Sequence, residues 1–179
     1  ILATKGEAGF QAQTLAPGVY FWKWIWQYEI TFQPFTIIPT GKIGLVLAKD
    51  GSELQTGLIL GRKVECDSFQ DAETFLSNGG RKGRQTGIMT PGSYRINTFL
   101  FEVEMVDMTN IPENAVGIVT TLEGRPLDEG QIAGRLIDGH NKFQDVDLFL
   151  NSNGYKGLQE QVILAGSYFL NPWFAKVEM

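Results

Sequence analysis

Two aspartates in a repeated tripeptide are the residues of this sequence that could best support acid–base chemistry. Phe-Gln-Asp occurs at 69–71 and again at 143–145, so Asp71 and Asp145 take equivalent places. Two carboxylates can act as general acid and general base when both face one reacting centre. These two are 74 residues apart, and nothing in the sequence brings them together. The preferred interpretation is structural: each aspartate starts a short helix, and each Phe packs beside it.

The single histidine, His140, and the single cysteine, Cys66, could form a nucleophile–base pair or bind a metal ion. Alignment of the two halves of the chain pairs His140 with Asp67 and Cys66 with Gly139, so neither chemistry occurs twice. A zinc site takes about four ligands, mostly Cys and His. We therefore expect no catalytic residue, no cofactor and no metal site, and one cysteine excludes an internal disulfide.

The glycine-rich segment at 79–84 looks superficially like a phosphate-binding loop. It lacks the Gly-Lys-Ser/Thr ending on which a P-loop depends, and its counterpart at 153–158 keeps one of the three basic residues. The preferred interpretation is a turn-rich loop with solvated charges. The alternative is that Arg81, Lys82 and Arg84 form a docking site for an acidic partner or a lipid headgroup.

Aromatic side chains occupy every second position near the N-terminus, including Tyr20, Trp22, Trp24 and Trp26. A period of two places such residues on one face of a β-strand. One interpretation is a buried sheet face. The other is an interaction surface that lies at a membrane interface or contacts another subunit.

An internal repeat connects these candidates. Residues 39–46 match 112–119 at an offset of 73, and a one-residue insertion near Lys142 changes the offset to 74. Residues 9–20 match 83–94, also at 74, so the chain opens with the tail of another copy. The predicted domains are a partial module at 1–36, module 1 at 37–110 and module 2 at 111–179.

Short β-branched runs separated by Gly and Pro predict a mainly β protein. We expect tandem small β-modules, barrel- or sandwich-like, each with one short α-helix. Modules this small bury too little surface alone, so each should pack against its neighbour. In module 1 the predicted strands are 43–48, 58–64, 85–89 and 94–107, with a hairpin turn at 50–51 and a helix capped by 67–68 and ended by 79–80.

Charge and hydropathy exclude two large classes of protein. Fifteen basic and twenty acidic residues give a net charge of −5, whereas a nucleic-acid-binding protein normally presents a basic face. No apolar run reaches the roughly 18–20 residues of a membrane-spanning helix. The chain begins at Ile1 without a methionine, so we expect it to be a soluble fragment of a longer protein.

Four parts of the sequence together have a recognisable pattern: residues 41–51, 64–71 and 158–162, and the Asn-Pro-Trp-Phe element at 171–174. They resemble bacterial proteins of the SPFH/band 7 (flotillin-like) superfamily. The similarity is specific to the repeat region that precedes the SPFH domain in longer bacterial members, and it covers most of the chain.

The resemblance implies a non-enzymatic structural module of a membrane-associated scaffold. It would set spacing and make contacts with neighbouring subunits, with membrane association supplied by flanking segments. The possible interaction surface comprises the aromatic residues at 20–26 and the basic residues at 81–84. The alternative function is a ligand-binding module, with a small pocket for a peptide or lipid near Tyr94 or Tyr168.

Overall fold

The computed structural model describes residues 2–4, 6–24 and 26–179. Strand residues far outnumber helical ones, 31% of the chain against 7%, which confirms the predicted mainly β class. In the described residues, two rounds of strands and one helix follow each other in the same order. The elements are β1 Thr36–Ile38, β2 Lys42–Ala48, α1 Ala72–Ser77, β3 Gly83–Met89, β4 Gly92–Tyr94, β5 Phe101–Asp107, β6 Thr109–Ile111, β7 Ile118–Thr121, α2 Val146–Asn151, β8 Gly157–Leu158, β9 Gly166–Tyr168 and β10 Ala175–Glu178.

Strand pairing repeats together with the sequence. In module 1, β2 lies between β3 and β5, and β1 pairs with β4; in module 2, β7 lies between β8 and β10, and β6 pairs with β9. All of these pairs are antiparallel. The sheets are small and open, and the described residues form no closed barrel. Each module is therefore a compact set of two small sheets and one helix.

Each module has its own aromatic core beneath its short helix. Phe75 of α1 lies edge-on to Phe101, with ring centroids 5.0 Å apart. Phe149 of α2 lies in the same way against Phe174, at 5.4 Å. Leu60 is buried in the core of module 2, although its sequence position lies in module 1. Neighbouring modules therefore share core residues.

Two strand predictions in module 1 were wrong. Residues 58–64 form no strand, because the backbone N–H groups of Ile59 and Leu60 donate to the carboxylate of Glu123. The predicted strand at 94–107 is interrupted after Tyr94, since Asn97 forms a turn. Its side-chain oxygen accepts from the N–H of Phe99, a typical local hydrogen bond of an Asn turn.

The helix prediction was right about the element but wrong about its cap. Helix α1 begins at Ala72 with Asp71 as N-cap. Asp67, Ser68 and Phe69 instead have positive φ angles of 50°, 53° and 65°. Residues 141–143 of module 2 do the same, with φ of 48°, 54° and 66°. Both copies thus turn through a left-handed segment that delivers the Phe side chain into the core.

The predicted hairpin at 50–51 is also absent, because Gly51 packs directly on the glycine-rich loop. A Cβ atom on Gly51 would lie 2.5 Å from the carbonyl oxygen of Gly80, and one on Gly124 would lie 2.5 Å from that of Gly154. Both glycines have strongly positive φ angles, +139° and +145°. The two loops therefore fit together only because these positions have no side chain.

Gly124→Ala should lower the free energy of unfolding by at least about 2–3 kcal/mol, because it combines backbone strain with a backbone clash. Urea unfolding measures this loss. The matched control is Gly130→Ala, which has a positive φ of +84° but nothing within 4 Å of the added Cβ. It should cost only about 1–2 kcal/mol for the left-handed conformation. Equal losses in the two variants would contradict the predicted clash.

Candidate functional site

The two repeated aspartates are helix caps. Oδ1 of Asp71 accepts from the N–H of Thr74 at 2.9 Å, and Oδ1 of Asp145 accepts from the N–H of Leu148 at 2.9 Å. The Thr74 hydroxyl also donates to Asp71. Hydrogen bonds from the Thr74 hydroxyl and N–H hold the pKa of Asp71 below its ordinary value. The structural interpretation of these residues therefore has direct support.

Asp71→Ala should lower the free energy of unfolding by about 1 kcal/mol at pH 7, the usual value of an N-cap. Because the folded pKa is lowered, this stabilisation is complete above the unfolded value of about 3.9 and is lost as the pH falls through the folded pKa. Thermal unfolding between pH 2 and pH 7 measures it. Asp71→Asn keeps the cap, so it should lose only the pH dependence; a loss as large as that of alanine would contradict the capping role.

The single cysteine and the single histidine occupy the same position of the repeat. The N–H of Asp71 donates to the carbonyl of Cys66 at 3.1 Å, and the N–H of Asp145 donates to that of His140 at 3.0 Å. The alignment of His140 with Asp67 was therefore wrong, and the extra residue of module 2 lies before His140. Nδ1 of His140 accepts from the N–H of Phe143 at 2.7 Å. Both side chains thus serve the left-handed turn of their own module.

Burial raises the pKa of the Cys66 thiol, and the side chain is buried. Since thiols react as thiolates, Cys66 should react with a disulfide reagent at least about 100-fold more slowly in the native protein than in urea. The rate of thiol labelling measures this difference. Rapid labelling without denaturant would show that the site opens locally.

The glycine-rich loop is closed by internal hydrogen bonds. Nε2 of Gln85 donates to the carbonyls of Arg81 and Gly83 at 2.7 and 2.8 Å. The N–H groups of Gly80 and Lys82 donate to carbonyls of the same module. A phosphate-binding loop instead points its N–H groups at the ligand. The loop therefore lacks the geometry of a phosphate cradle.

Of the three basic residues in this loop, Arg84 takes part in a contact between modules. Its guanidinium lies over the ring of Trp173 in module 2, 5.1 Å from the centroid. Lys82 is exposed and Arg81 is partly buried. The loop thus presents one charge to module 2 and leaves Lys82 facing outward.

The aromatic segment, defined here as residues 19–35, forms no strand in its described part. The strand expected from the alternation that includes Tyr20, Trp22, Trp24 and Trp26 was therefore wrong, and so was the buried sheet face, one of its two interpretations; Ile25 lies outside the described residues. Trp22 and Trp26 are 85% and 84% exposed, and Trp24 is 63% exposed. Tyr20 is partly covered, and its hydroxyl donates to the carbonyl of Ala16 at 2.7 Å.

Tyr20 takes part in a turn that all three copies share. The hydroxyl of Tyr94 donates to the carbonyl of Thr90 at 2.8 Å, and that of Tyr168 donates to the carbonyl of Leu164 at 2.9 Å. Each tyrosine therefore closes the turn that precedes it.

The most extensive repeated geometry is an interface that the chain builds twice. In the first interface, the side-chain N–H2 of Asn97 donates to the carbonyls of Gln11 and Ala12 at 3.1 and 3.0 Å. In the second interface, that of Asn171 donates to Gln85 and Thr86 at 3.0 and 3.1 Å. Each asparagine thus binds the backbone of the preceding copy, in the second interface that of strand β3.

An acidic side chain of the same module makes a second contact with the preceding copy. Asp50 accepts from the N–H of Leu2 at 2.8 Å. Its counterpart Glu123 is 4% exposed and accepts from the N–H groups of Ile59 and Leu60, each at 2.9 Å. The other oxygen of Glu123 lies 3.1 Å from Nη2 of Arg62. In both interfaces a carboxylate therefore binds the backbone of the preceding copy.

Ring stacking occupies a third shared position. Phe10 stacks on Phe99 in the first interface, with centroids 4.0 Å apart. Arg84 and Trp173 replace this pair in the second. The second interface adds Asp147 of α2, which accepts from the Thr86 hydroxyl at 2.7 Å. The two interfaces share positions and geometry; the asparagine is the same in both, and the other side chains differ.

Sequence reasoning gave the asparagines no role, and it placed Asp50 in a hairpin turn. The signal was present, because Asn97 aligns with Asn171 and Asp50 aligns with Glu123. What the sequence lacked was any indication that these side chains reach out of their own module.

No group of three or more potential metal-ligating side chains occurs in the described part of the chain. Among the same residues, no helix has the length and apolar character needed to cross a bilayer. Comparison with protein-family models, with curated proteins and with solved structures finds no match to this chain.

Proposed function

We propose that this chain is a non-enzymatic structural module that holds successive repeats at a fixed spacing within a membrane-associated scaffold of the SPFH/band 7 type. The observation that carries the proposal is the interface built twice, by Asp50 and Asn97 and again by Glu123 and Asn171. The wider scaffold and its membrane association follow only from the sequence resemblance.

The chemistry of the interface favours one fixed orientation between neighbours. A carboxylate and an amide of one module both make directional hydrogen bonds to the backbone of the preceding copy. Leu60, whose N–H donates to Glu123, also enters the core of the next module. Repeat proteins derive their shape from such nearest-neighbour contacts, because the same small rotation is applied at every step.

Distance measurement between equivalent positions tests the proposal. Glu104 and Glu178 are exposed and stand one repeat apart, so Glu104→Cys and Glu178→Cys can carry a pair of spin labels. A fixed spacing predicts a narrow distance distribution, and Asn171→Ala should broaden it. A distribution that is already broad with the interface intact would contradict the spacer function.

Light scattering over a concentration series tests subunit contacts separately. A stable oligomer would support assembly through these modules. A strict monomer would restrict the proposal to spacing, with assembly left to other parts of the protein.

The ligand-binding alternative rests on a groove of about 520 Å³ beside the β6–β9 pair. Its lining includes Asn110, Pro112 and Ser167. In this lining the Ser167 hydroxyl donates to Oδ1 of Asn110, and the hydroxyl of the neighbouring Tyr168 is taken by its own turn. A saturable rise in melting temperature with a peptide or lipid would favour this alternative, since a ligand of the native state stabilises it.

A further inference from the structure

The backbone contacts of the two interfaces correspond residue by residue. Leu2 and Leu60 each donate their N–H to a carboxylate of the next module, and each packs in the core of that module. Each leucine is followed directly by a residue that forms a parallel backbone bridge to a glutamine of its own copy. Thr4 in the partial module therefore takes the place that Arg62 has in module 1.

The buried carboxylate of the second interface has a cation that the first interface lacks. Glu123 is 4% exposed, and its Oε1 lies 3.1 Å from Nη2 of Arg62. At the place of Arg62 the partial module has Thr4, which is exposed and carries no charge. A buried carboxylate that loses its cation is strongly destabilising. Glu123 is thus compensated by module 1 and would be left uncompensated against the partial module.

The stacked pair of each interface is matched in a different way. In the second interface the Arg84 guanidinium lies over the indole of Trp173, and indole is the aromatic ring that attracts cations most strongly. In the first interface Phe10 lies parallel to Phe99, with an interplanar angle of 20°. Module 2 therefore presents a ring suited to a cation, and module 1 presents a ring suited to another apolar ring.

The carboxylates at the second position of the short helices complete the difference. Asp147 of α2 accepts from the Thr86 hydroxyl at 2.7 Å across the second interface. In the first interface the counterpart of Thr86 is Ala12, which has no hydroxyl, and the counterpart of Asp147 is Glu73, which stays exposed. Asp147 would lose this donor against the partial module, and a lost donor leaves part of its desolvation cost unmet.

We propose that Arg62, Arg84 and Thr86 form a recognition surface by which module 2 accepts module 1, and not the partial module, as its preceding neighbour. The partner surface on module 2 consists of Glu123, Asp147 and Trp173. The contacts common to both interfaces hold successive copies together, whereas these pairs penalise the wrong neighbour, as specific interfaces commonly do. Such discrimination counteracts misassembly, a characteristic failure of repeat proteins. The proposal rests on the proposed function, because the same interface sets the spacing, and it adds the order of the copies.

Exchanging one side of the interface tests the proposal in the whole chain. The module 1 variant carries Arg62→Thr, Arg84→Phe and Thr86→Ala, the residues of the partial module at these positions. Hydrogen exchange followed by NMR reports on the Ile59 and Leu60 amides, which donate to Glu123. We expect their exchange to accelerate at least about tenfold. Unchanged exchange would overturn the proposal, because the two interfaces would then be interchangeable.

Exchanging the other side as well tests whether the pairs are matched. The module 2 variant carries Glu123→Asp, Asp147→Glu and Trp173→Phe, the residues of module 1 at these positions. It should also accelerate exchange at residues 59–60. The combined variant should exchange at least about tenfold more slowly than the product of the two separate accelerations predicts, since interacting residues are not additive. Agreement with that product would overturn the proposal.

The amides of β5 show whether module 1 itself stays folded, because β2 separates β5 from β3. Acceleration in β5 that the combined variant does not reverse would reveal damage to module 1 rather than to recognition, and would overturn the proposal. The label distance in the unmodified chain tests spacing independently. A narrow distribution with a failed exchange test leaves the spacer function standing, whereas a broad distribution contradicts spacing and leaves the coupling between the pairs to report on recognition.

Discussion

Leu60→Ala is expected to lower the free energy of unfolding of module 2 by about 2–5 kcal/mol, although the residue lies in module 1. Leu60 has no exposed surface and packs with Val119, Phe143 and Phe174 in the core of module 2. Truncation to alanine would remove apolar contacts and leave a cavity where the two modules meet. Hydrogen exchange of amides in β7 and α2 measures this loss directly.

An exposed isoleucine provides the control for Leu60. Ile132 occupies the position of the repeat that Ile59 has in module 1, and it is 85% exposed. Ile132→Ala should change stability by less than about 0.5 kcal/mol, because exposed side chains contribute little. If Leu60→Ala accelerated exchange in module 1 alone, Leu60 would not be part of the core of module 2.

Glu123→Ala is expected to lower the free energy of unfolding by about 3–5 kcal/mol, which is the usual effect of removing one member of a buried ion pair. The substitution would leave the N–H groups of Ile59 and Leu60 without their acceptor and would remove the carboxylate beside Arg62. Unsatisfied buried donors carry the full cost of their desolvation. Urea unfolding measures the loss, and the label distance between modules 1 and 2 should broaden at the same time.

Glu123→Gln separates the hydrogen bonds from the charge. Glutamine keeps one oxygen that can accept from the two N–H groups, so its cost should be clearly smaller than that of alanine. Glu129→Ala, at an exposed position, should have almost no effect. An equal cost for glutamine and alanine would mean that the charge beside Arg62, rather than the backbone contact, holds the interface.

The repeat and the mainly β class could be predicted because they depend on local patterns. Short β-branched runs such as 43–48, bounded by Gly and Pro, specify strands without reference to distant residues. The strand at 85–89 and the presence of a helix before Gly79 were predicted for the same reason. In these elements the backbone preference of each residue and the burial of one face are enough to decide the secondary structure.

Predictions failed where the decisive partner lies in another copy. The stretch 58–64 has the composition of a strand, but Glu123 of module 2 takes two of its N–H groups. The left-handed turn at 67–69 was missed because non-glycine residues rarely adopt positive φ. That turn also explains the misaligned insertion, because Cys66 and His140 share a role that depends on geometry rather than on residue type.

By itself the sequence determined the repeat, the turns that need glycine and the strands that each copy builds from its own residues. Only the tertiary structure decided which side chains join the copies, since the asparagine and carboxylate contacts cross from one module to the next. It also decided that Trp22, Trp24 and Trp26 lie exposed. Period-two alternation specifies one face of a strand, but a strand forms only beside a hydrogen-bonding neighbour, and the described residues of 20–30 pair with no other strand.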